Sequence, residues 1–367
     1  MILHLFDDEK VVNRCIEIFE KSLPDENNYI CFISSSTPYH VSAHNSLTFI
    51  RNINDVDEDV INVTTKVLIH YLSPWKYEFI NKFIKKSIPC YWLIWGGDLY
   101  NQILQYKGYQ LYYTKSCLDY YSVAYIYLSK VNIYTNYLKQ LLLFIKERIQ
   151  YIVAECDYDK AKQFISENIN AKQIKGFGYY AIDRILGDLK GKSIIGNNIT
   201  IGNSASFTNN HLYAFKFLKK LSIGNRIVSV PLSYGGNTKY KDLIIKRGTR
   251  TFKNFNPIMC FMPLEEYNKF MLGSSVFIFS SWRQEAFGNI VAALYLGAKV
   301  FISNRSPLFN ELFCIKKLKI FELEKISQTD IDTSMNSYDI INNRIILDNI
   351  LSEKVIINMI RSTWHNK

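Results

Sequence analysis

Short apolar runs alternate with helical patterns from the first residues onward. Ile2–Phe6 predicts a strand, and Val11, Val12, Ile16 and Phe19 then recur at helical spacing. Tyr29–Ser34 predicts a second strand and Val67–Leu72 a third. Pro74 stands where a helix N-terminus accepts proline, and Trp75, Phe79, Phe83 and Ile84 follow at helical spacing. Cys90–Trp95 predicts another strand, broken by Gly96-Gly97. The second half repeats the alternation. An apolar run in Ser193–Ile201 leads to a helix over about Asn209–Leu221. Arg226–Leu232, Ile258–Met262, Val276–Ser280 and Lys299–Ser303 predict further strands, with helices ending near Lys246 and spanning Leu264–Leu272 and about Asn289–Leu296. Strands alternating with helices imply parallel, doubly wound sheets.

The pattern predicts an α/β protein of two Rossmann-like domains, residues 1–185 and 186–340. The boundary falls near the glycines between Gly176 and Gly191. The tail, 341–367, belongs to a last helix over about Asp339–Trp364 that can cross back to the first domain. Residues 106–150 differ in character: tyrosines run from Tyr106 through Tyr120, Tyr121, Tyr125 and Tyr127 to Tyr137, interspersed with lysines. They read either as amphipathic helices packed on the domain's own sheet or as a membrane-interface segment.

A chain of 367 residues suits two cores. No stretch approaches the roughly 20 apolar residues of a membrane span, and the acidic Asp7-Asp8-Glu9 is unlike a signal peptide. The 7 cysteines occur singly, without close pairs or metal-ligand spacing, as in a reduced, cytoplasmic protein. The net charge of +11 suits an anionic lipid or a phosphorylated substrate. Nucleic acid is disfavoured, because no Arg-rich run, zinc spacing or RNA-binding signature accompanies that charge.

In open parallel sheets, ligands bind beyond the carboxyl ends of the strands. There the second half places small and polar residues: Gly202 to His211, with Asn203, Ser204, Ser206 and Asn209; then Ser233, Tyr234, Gly235 and Gly236; then Met262, Pro263 and Glu266. The last such loop runs from Ser280 to Asn289, with Arg283, Gln284, Glu285 and Gly288. Glycine and serine let backbone N–H groups approach an anion, a helix start near Asn209 turns its positive end the same way, and Arg283 adds a planar donor fork. Such a crevice suits a diphosphate, although Ser206, Thr208 or Asn209 could equally be plain helix caps. Walker A and Gly-x-Gly-x-x-Gly sequences are absent, as is any metal cluster. In the first half, Trp95, Gly97, Asp98 and Tyr100 set a carboxylate among aromatics, which could receive a sugar or simply cap the next helix. His4, His40, His44 and His70 lie in or near predicted strands of that half.

Trp95–Tyr100, Gly202–Ser206 with Asn209–Leu212, Val230–Gly236, Phe261–Tyr267, Arg283-Gln284 and Gly288–Ile290 resemble the Fuc4NAc (4-acetamido-4,6-dideoxygalactose) transferases of enterobacterial common antigen synthesis. These form glycosyltransferase family 56, also known as 4-alpha-L-fucosyltransferases. The matches are ordered and span about 95–300. The resemblance implies a GT-B fold with a cleft between its domains, and a metal-independent hexosyltransferase with no cofactor. The C-terminal domain would hold a dTDP-sugar through the Asn203–Ser206 loop, Ser233–Gly236 and Arg283, with Met262–Glu266 near the base and deoxyribose. Asp98 would face a polyprenyl-diphosphate-linked acceptor, joined by Trp95, Gly97, Tyr100, His40 and His44. The location implied is the cytoplasmic face of the bacterial inner membrane, as a peripheral protein making surface polysaccharide, common antigen or O-antigen.

One departure stands out. Glu285-Ala286-Phe287-Gly288 after Gln284 resembles the first half of a Glu-x7-Glu signature, but Ala293 occupies the second position. Glu285 would then read a different donor-sugar hydroxyl. The base could be Asp98 or a first-domain histidine, or the donor's own phosphate oxygen helped by Arg283. A sugar-nucleotide epimerase of the same build and a non-catalytic glycan-binding protein are the competing readings.

Overall fold

The computed structural model describes residues 1–114, 131–175 and 178–365. The predicted run through Tyr120, Tyr121, Tyr125 and Tyr127 lies outside them. The chain divides into two compact units: Met1–Tyr109, Asn132–Ala181 and Glu353–Lys367 form the first, and Gln110–Val131 with Ile182–Ser352 the second.

In the first unit, strands β1 (Ile2–Asp7), β2 (Asn27–Phe32), β3 (Leu47–Ile50), β4 (Lys66–His70), β5 (Cys90–Leu93), β6 (Ile149–Val153) and β7 (Lys172–Ile174) form a 7-stranded sheet. Its order is β3-β2-β1-β4-β5-β6-β7, and every pairing is parallel. The chain leaves β1 toward one edge and returns at β4 toward the other, so the topological switch point lies between those two strands. Helices α1 (Val12–Ser22), α2 (Pro74–Phe83, with proline in its first turn) and α3 (Val131–Arg148) serve as crossovers. β1, β4 and β5 are buried nearly throughout, as strands covered on both faces must be.

The second unit repeats the plan with β8 (Asn198–Ile201), β9 (Val228–Pro231), β10 (Phe255–Ile258), β11 (Ser274–Phe279), β12 (Lys299–Ile302) and β13 (Phe321–Glu322), in the order β10-β9-β8-β11-β12-β13. Its switch point lies between β8 and β11. Helices α4 (His211–Leu218), α5 (Thr238–Thr251), α6 (Leu264–Leu272) and α7 (Phe287–Leu296) connect the strands, and α8 (Ser337–Leu351) closes the unit. Gly297, at φ +91, stops α7 in the left-handed conformation that glycine accepts without cost.

The departures from expectation have local causes. β3 was hidden in the sequence because it is a 4-residue edge strand, partly exposed. β6 starts at the residue after α3 ends, so no turn residue separates helix from strand. β10 spans Phe255–Ile258 rather than Ile258–Met262; it contains Pro257, which an edge strand tolerates because the missing N–H faces no neighbour. The predicted last helix is two, α8 and α9 (Glu353–Trp364), parted at Ser352, whose extended ψ of 147° breaks the ladder. α9 packs with the first unit, where Trp364 joins Phe19, Tyr29 and Tyr91 in the core.

A polar chain crosses that core. Asn27 Nδ2 donates to the Leu23 carbonyl, so its Oδ1 faces His4 Nε2 at 3.1 Å and accepts from it. His4 Nδ1 is then an acceptor, and accepts from the N–H of His70 Nε2 at 3.0 Å. His70 Nδ1 in turn accepts from the Tyr179 hydroxyl, and Tyr179 accepts from Trp95 Nε1, both at 2.8 Å. Every direction follows from the asparagine, and both imidazoles must be neutral. Burial pushes the His4 pKa down to about 3 and that of His70 well below its usual value.

These histidines make stability depend on pH. Below about pH 6.5 the unfolded chain binds protons that folded His4 and His70 refuse, so stability is full above that value and declines as pH falls toward 3. We expect the thermal midpoint to drop between pH 7 and 5.5, each histidine contributing up to ~1.4 kcal/mol per pH unit. A midpoint that stays flat across that interval would show that the histidines are not held neutral.

Candidate functional site

The second switch point gathers the loops after β8, β9 and β11. Gly202, at φ +71, turns the chain out of β8; a Cβ there would come within 2.8 Å of Asn209 Oδ1 and 2.9 Å of His211 Nε2. The Ser233–Gly236 turn lies directly on this loop. Ala205 N–H donates to the Tyr234 carbonyl at 2.8 Å, and a Cβ on Gly236 would fall 2.1 Å from the Ala205 carbonyl. Only glycine permits that approach.

The Glu285 carboxylate binds the loops together. It accepts from Thr208 Oγ1 at 2.7 Å, Ser281 Oγ at 3.0 Å and Asn209 Nδ2 at 3.3 Å, and pairs with an Arg283 terminal nitrogen at 3.2 Å. Asn209 also donates to Ser204 Oγ at 3.1 Å, and Ser280 Oγ donates to the Asn209 carbonyl at 2.7 Å. The next residue, Ala286, stands at φ +63, a conformation costing a non-glycine residue on the order of 1 kcal/mol, and it opens α7. Ser206, Thr208 and Asn209 do not act as caps for α4: no side-chain capping bond is made at its start, and Thr208 and Asn209 turn to Glu285 instead.

Four buried polar atoms in these loops have no hydrogen-bond partner among the described residues: Asn203 Oδ1, His211 Nε2, Arg283 Nε and Gln284 Oε1. Leaving a buried donor or acceptor unmet costs about 1–3 kcal/mol each, so their convergence marks a place built for another molecule. His211 is fully buried, its pKa lowered to about 3 by desolvation; Nδ1 engages Tyr240 at 3.0 Å, and in either tautomer Nε2 is left over. It is also the first residue of α4, where unpaired backbone N–H groups and the helix dipole favour an anion.

The other predicted residues lie as follows. Asn203 Nδ2 donates to the hydroxyl of the exposed Tyr234 at 3.1 Å. Asn289 Oδ1 accepts from Tyr267 at 2.9 Å, and a Cβ on Gly288 would meet open space. Met262 is half-buried while Pro263 and Glu266 are exposed, at and just inside the start of α6. Two residues were missed. Asn210, at φ +50, accepts from Tyr113 N–H at 2.9 Å and donates to the Leu111 carbonyl, pinning the 111–113 segment beside the site. Arg305, after β12, lies 3.6 Å over the Trp282 ring and donates to Gln110. Asn210 lay within the Asn209–Leu212 segment already singled out, without a role of its own, whereas Arg305 had no motif beyond its place just past a strand.

In the first unit the structure corrects the reading of Asp98 as an open carboxylate. It is wholly buried and accepts from Leu72 N–H at 3.0 Å, Trp92 Nε1 at 2.7 Å and Trp95 N–H at 3.1 Å. The predicted helix cap is not made either: Gly96 holds the cap position. Tyr100 is likewise interior, its hydroxyl donating to Asp157 at 2.8 Å. A Cβ on Gly97 would touch the Tyr71 ring at 3.2 Å, and Trp95 is half-buried. His40 and His44 are exposed; Asp8 accepts from the backbone N–H groups of Tyr39, His40 and Val41 and so shapes the loop carrying His40. At this unit's switch point, Asp7 accepts from Ser73, Trp75 Nε1 and the fully buried Lys76 ammonium, the last at 2.6 Å.

No protein-family model matches the chain, and no curated protein does. Solved structures match over its whole length. A glycosyltransferase from Rickettsia africae superposes with a TM-score of 0.58 at 12% identity, covering 100% of this chain and 99% of its own. Anabaena HepE in complex with UDP and glucose gives 0.61 at 11%, covering 99% of each chain. An E. coli trehalose-6-phosphate protein bound with UDP-2-fluoro glucose gives 0.60 at 10%, over 99% of this chain and 98% of its own. At such identities the likeness is one of fold: two parallel α/β sheets in the GT-B plan of two Rossmann-like domains.

Proposed function

We propose that the chain is a glycosyltransferase that moves a deoxy-amino sugar, Fuc4NAc or a relative, from a dTDP-sugar to a polyprenyl-diphosphate-linked glycan. The acceptor would be reached at the cytoplasmic face of the bacterial inner membrane. The observation that carries the reading is the convergence of four unmet buried polar atoms at the second switch point, beside the start of α4. An epimerase would need the same nucleotide site but no second substrate. The GT-B likeness to sugar-nucleotide complexes and the ordered motif resemblance favour transfer.

In this reading the donor diphosphate lies between the first turn of α4 and Arg283, which together stabilise the charge that develops on the leaving group without calling on a metal ion. Glu285 holds Arg283 and the 208–209 backbone in place and stands next to the transferred sugar. Asp98 is a positioning residue, fixing the Trp95 backbone. Among the described residues the exposed His40 ring makes no hydrogen bond that would orient it as a general base requires, so in this reading the donor's own phosphate oxygen takes the acceptor proton.

Three outcomes are expected. Thermal melting with dTDP, UDP and GDP should give a dTDP-selective rise that Arg283→Ala abolishes; a wild-type protein indifferent to all three would remove the donor site. Glu285→Gln keeps the shape but weakens the charge-assisted bonds, so we expect transfer to fall at least about 100-fold (about 2.7 kcal/mol) while dTDP still stabilises the protein. His40→Ala should keep transfer within about tenfold of wild type. A loss of several hundredfold in initial-rate assays would instead make His40 the base.

A further inference from the structure

Strand β4 ends at His70, and the next residue, Tyr71, leaves it at φ +63. A bulky aromatic rarely adopts that left-handed conformation, and strain of this kind persists only where the surroundings over-determine it. Two buried charges do so here. Lys76, wholly buried in the first turn of α2, donates to the carbonyls of His70 and Tyr71, the latter at 2.8 Å, and to Asp7. Asp98, equally buried, accepts from Leu72 N–H and Trp95 N–H, and so ties the exit of β4 to that of β5. The backbone on both sides of Tyr71 is thereby fixed.

The ring is held as well. Gln102 Nε2 donates to the Tyr71 hydroxyl at 3.0 Å, and Gln102 Oε1 accepts from the Tyr137 hydroxyl at 3.0 Å, which sets the orientation of the amide. Gly97 leaves the ring its place, since a Cβ there would stand 3.2 Å from it. The Trp95 ring meets it edge to face, with centroids 6.3 Å apart and planes at 63°.

Filling a core calls for none of this. The wholly buried Tyr29 and Tyr100 do without a positive φ, whereas Tyr71, which has one, is only half-buried. A desolvated ammonium and a strained backbone that together place a partly solvated ring preorganise a surface. That surface stands at the carboxyl end of β4, beside the switch point with β1, where open parallel sheets receive ligands. Asp7, Lys76 and Asp98 are engaged with their own partners, so the ring offers aromatic area. The apolar C–H face of a pyranose suits such a ring.

We propose that the Tyr71 ring is the surface on which a pyranose of the acceptor glycan stacks, with Trp95 as its side wall, and that Tyr71 selects acceptors by the C–H face they present. The proposal rests on the transferase reading for its place in a reaction, but the sugar contact is measurable without turnover.

The test is saturation-transfer NMR of the full chain with the methyl β-glycosides of glucose, mannose, galactose and N-acetylglucosamine, each titrated through the millimolar range. At least one should take saturation on its ring C–H protons. Its affinity should stay within about threefold of wild type in Tyr71→Phe and fall at least about tenfold in Tyr71→Asn, a substitution that left-handed backbone tolerates. Gly97→Ala crowds the ring without removing it and should weaken binding at least about threefold. All three variants should keep a cooperative melting transition and the dTDP-induced shift of the wild type. No saturation of any glycoside, undiminished affinity in Tyr71→Asn, or a Tyr71→Phe variant as weak as Tyr71→Asn would overturn the proposal. Should Tyr71→Asn not fold, Gly97→Ala decides, and unchanged affinity there overturns it too. If glycosides bind through Tyr71 while no nucleotide shifts the melting point, the donor reading fails and the sugar surface stands. If dTDP shifts the melting point while no glycoside binds, the sugar surface falls and the donor reading stands.

Discussion

The Glu285 carboxylate is the point on which the second unit's loops depend. Thr208 and Asn209 follow β8, while Ser281 and Arg283 follow β11; these strands are parallel neighbours, but the chain leaves them toward opposite edges of the sheet. A single carboxylate with four partners holds the two exits together. Charge-assisted bonds of that kind contribute about 1.5–3 kcal/mol each, more than the αL conformation of Ala286 costs. The bonds also take up the Thr208 and Asn209 side chains that might otherwise cap α4, so its start has no side-chain cap, although Tyr213 N–H donates to the Asn210 carbonyl at 2.7 Å.

Much of this architecture is legible in the chain because buried parallel strands advertise themselves. β1, β4, β5, β11 and β12 are apolar on both faces and read as continuous runs. Elements that escaped are those whose surroundings, rather than composition, define them. β3 and β13 are short edge strands, and β6 follows its helix without a spacer. β10 was misplaced because the apolar stretch at 258–262 extends past the strand while Pro257 sits inside it.

The site divides along a similar line. Glycines at 202, 235 and 236 and the small polar residues around them were readable, because backbone meeting backbone at positive φ leaves few residue choices. Asp98 misled because a carboxylate after Gly-Gly among aromatics looks the same whether it faces solvent or three interior donors. Its partners are Leu72, just past the neighbouring strand β4, and the Trp92 indole of β5 itself, and nothing at residue 98 announces either contact. Arg305 was overlooked for the converse reason: its place is fixed by stacking on Trp282, a contact between different loops.

The two switch points differ in a way that assigns them different work. In the first unit, Asp7 is met by Ser73, Trp75 and Lys76, and Asp8 by backbone donors at 39–41, so the polar groups there are mutually satisfied. Burial lowers the pKa of Lys76, but the adjacent Asp7 opposes that shift. In the second unit, Asn203, His211, Arg283 and Gln284 each keep a buried polar atom in reserve. Desolvating a polar group is worthwhile only where a partner arrives, and a nucleotide diphosphate offers the acceptors and charge that Arg283 Nε and the α4 terminus lack. A satisfied crevice can contribute shape and aromatic surface but little polar recognition. Unmet polar groups therefore gather at the second unit's switch point, while those at the first are already engaged with one another.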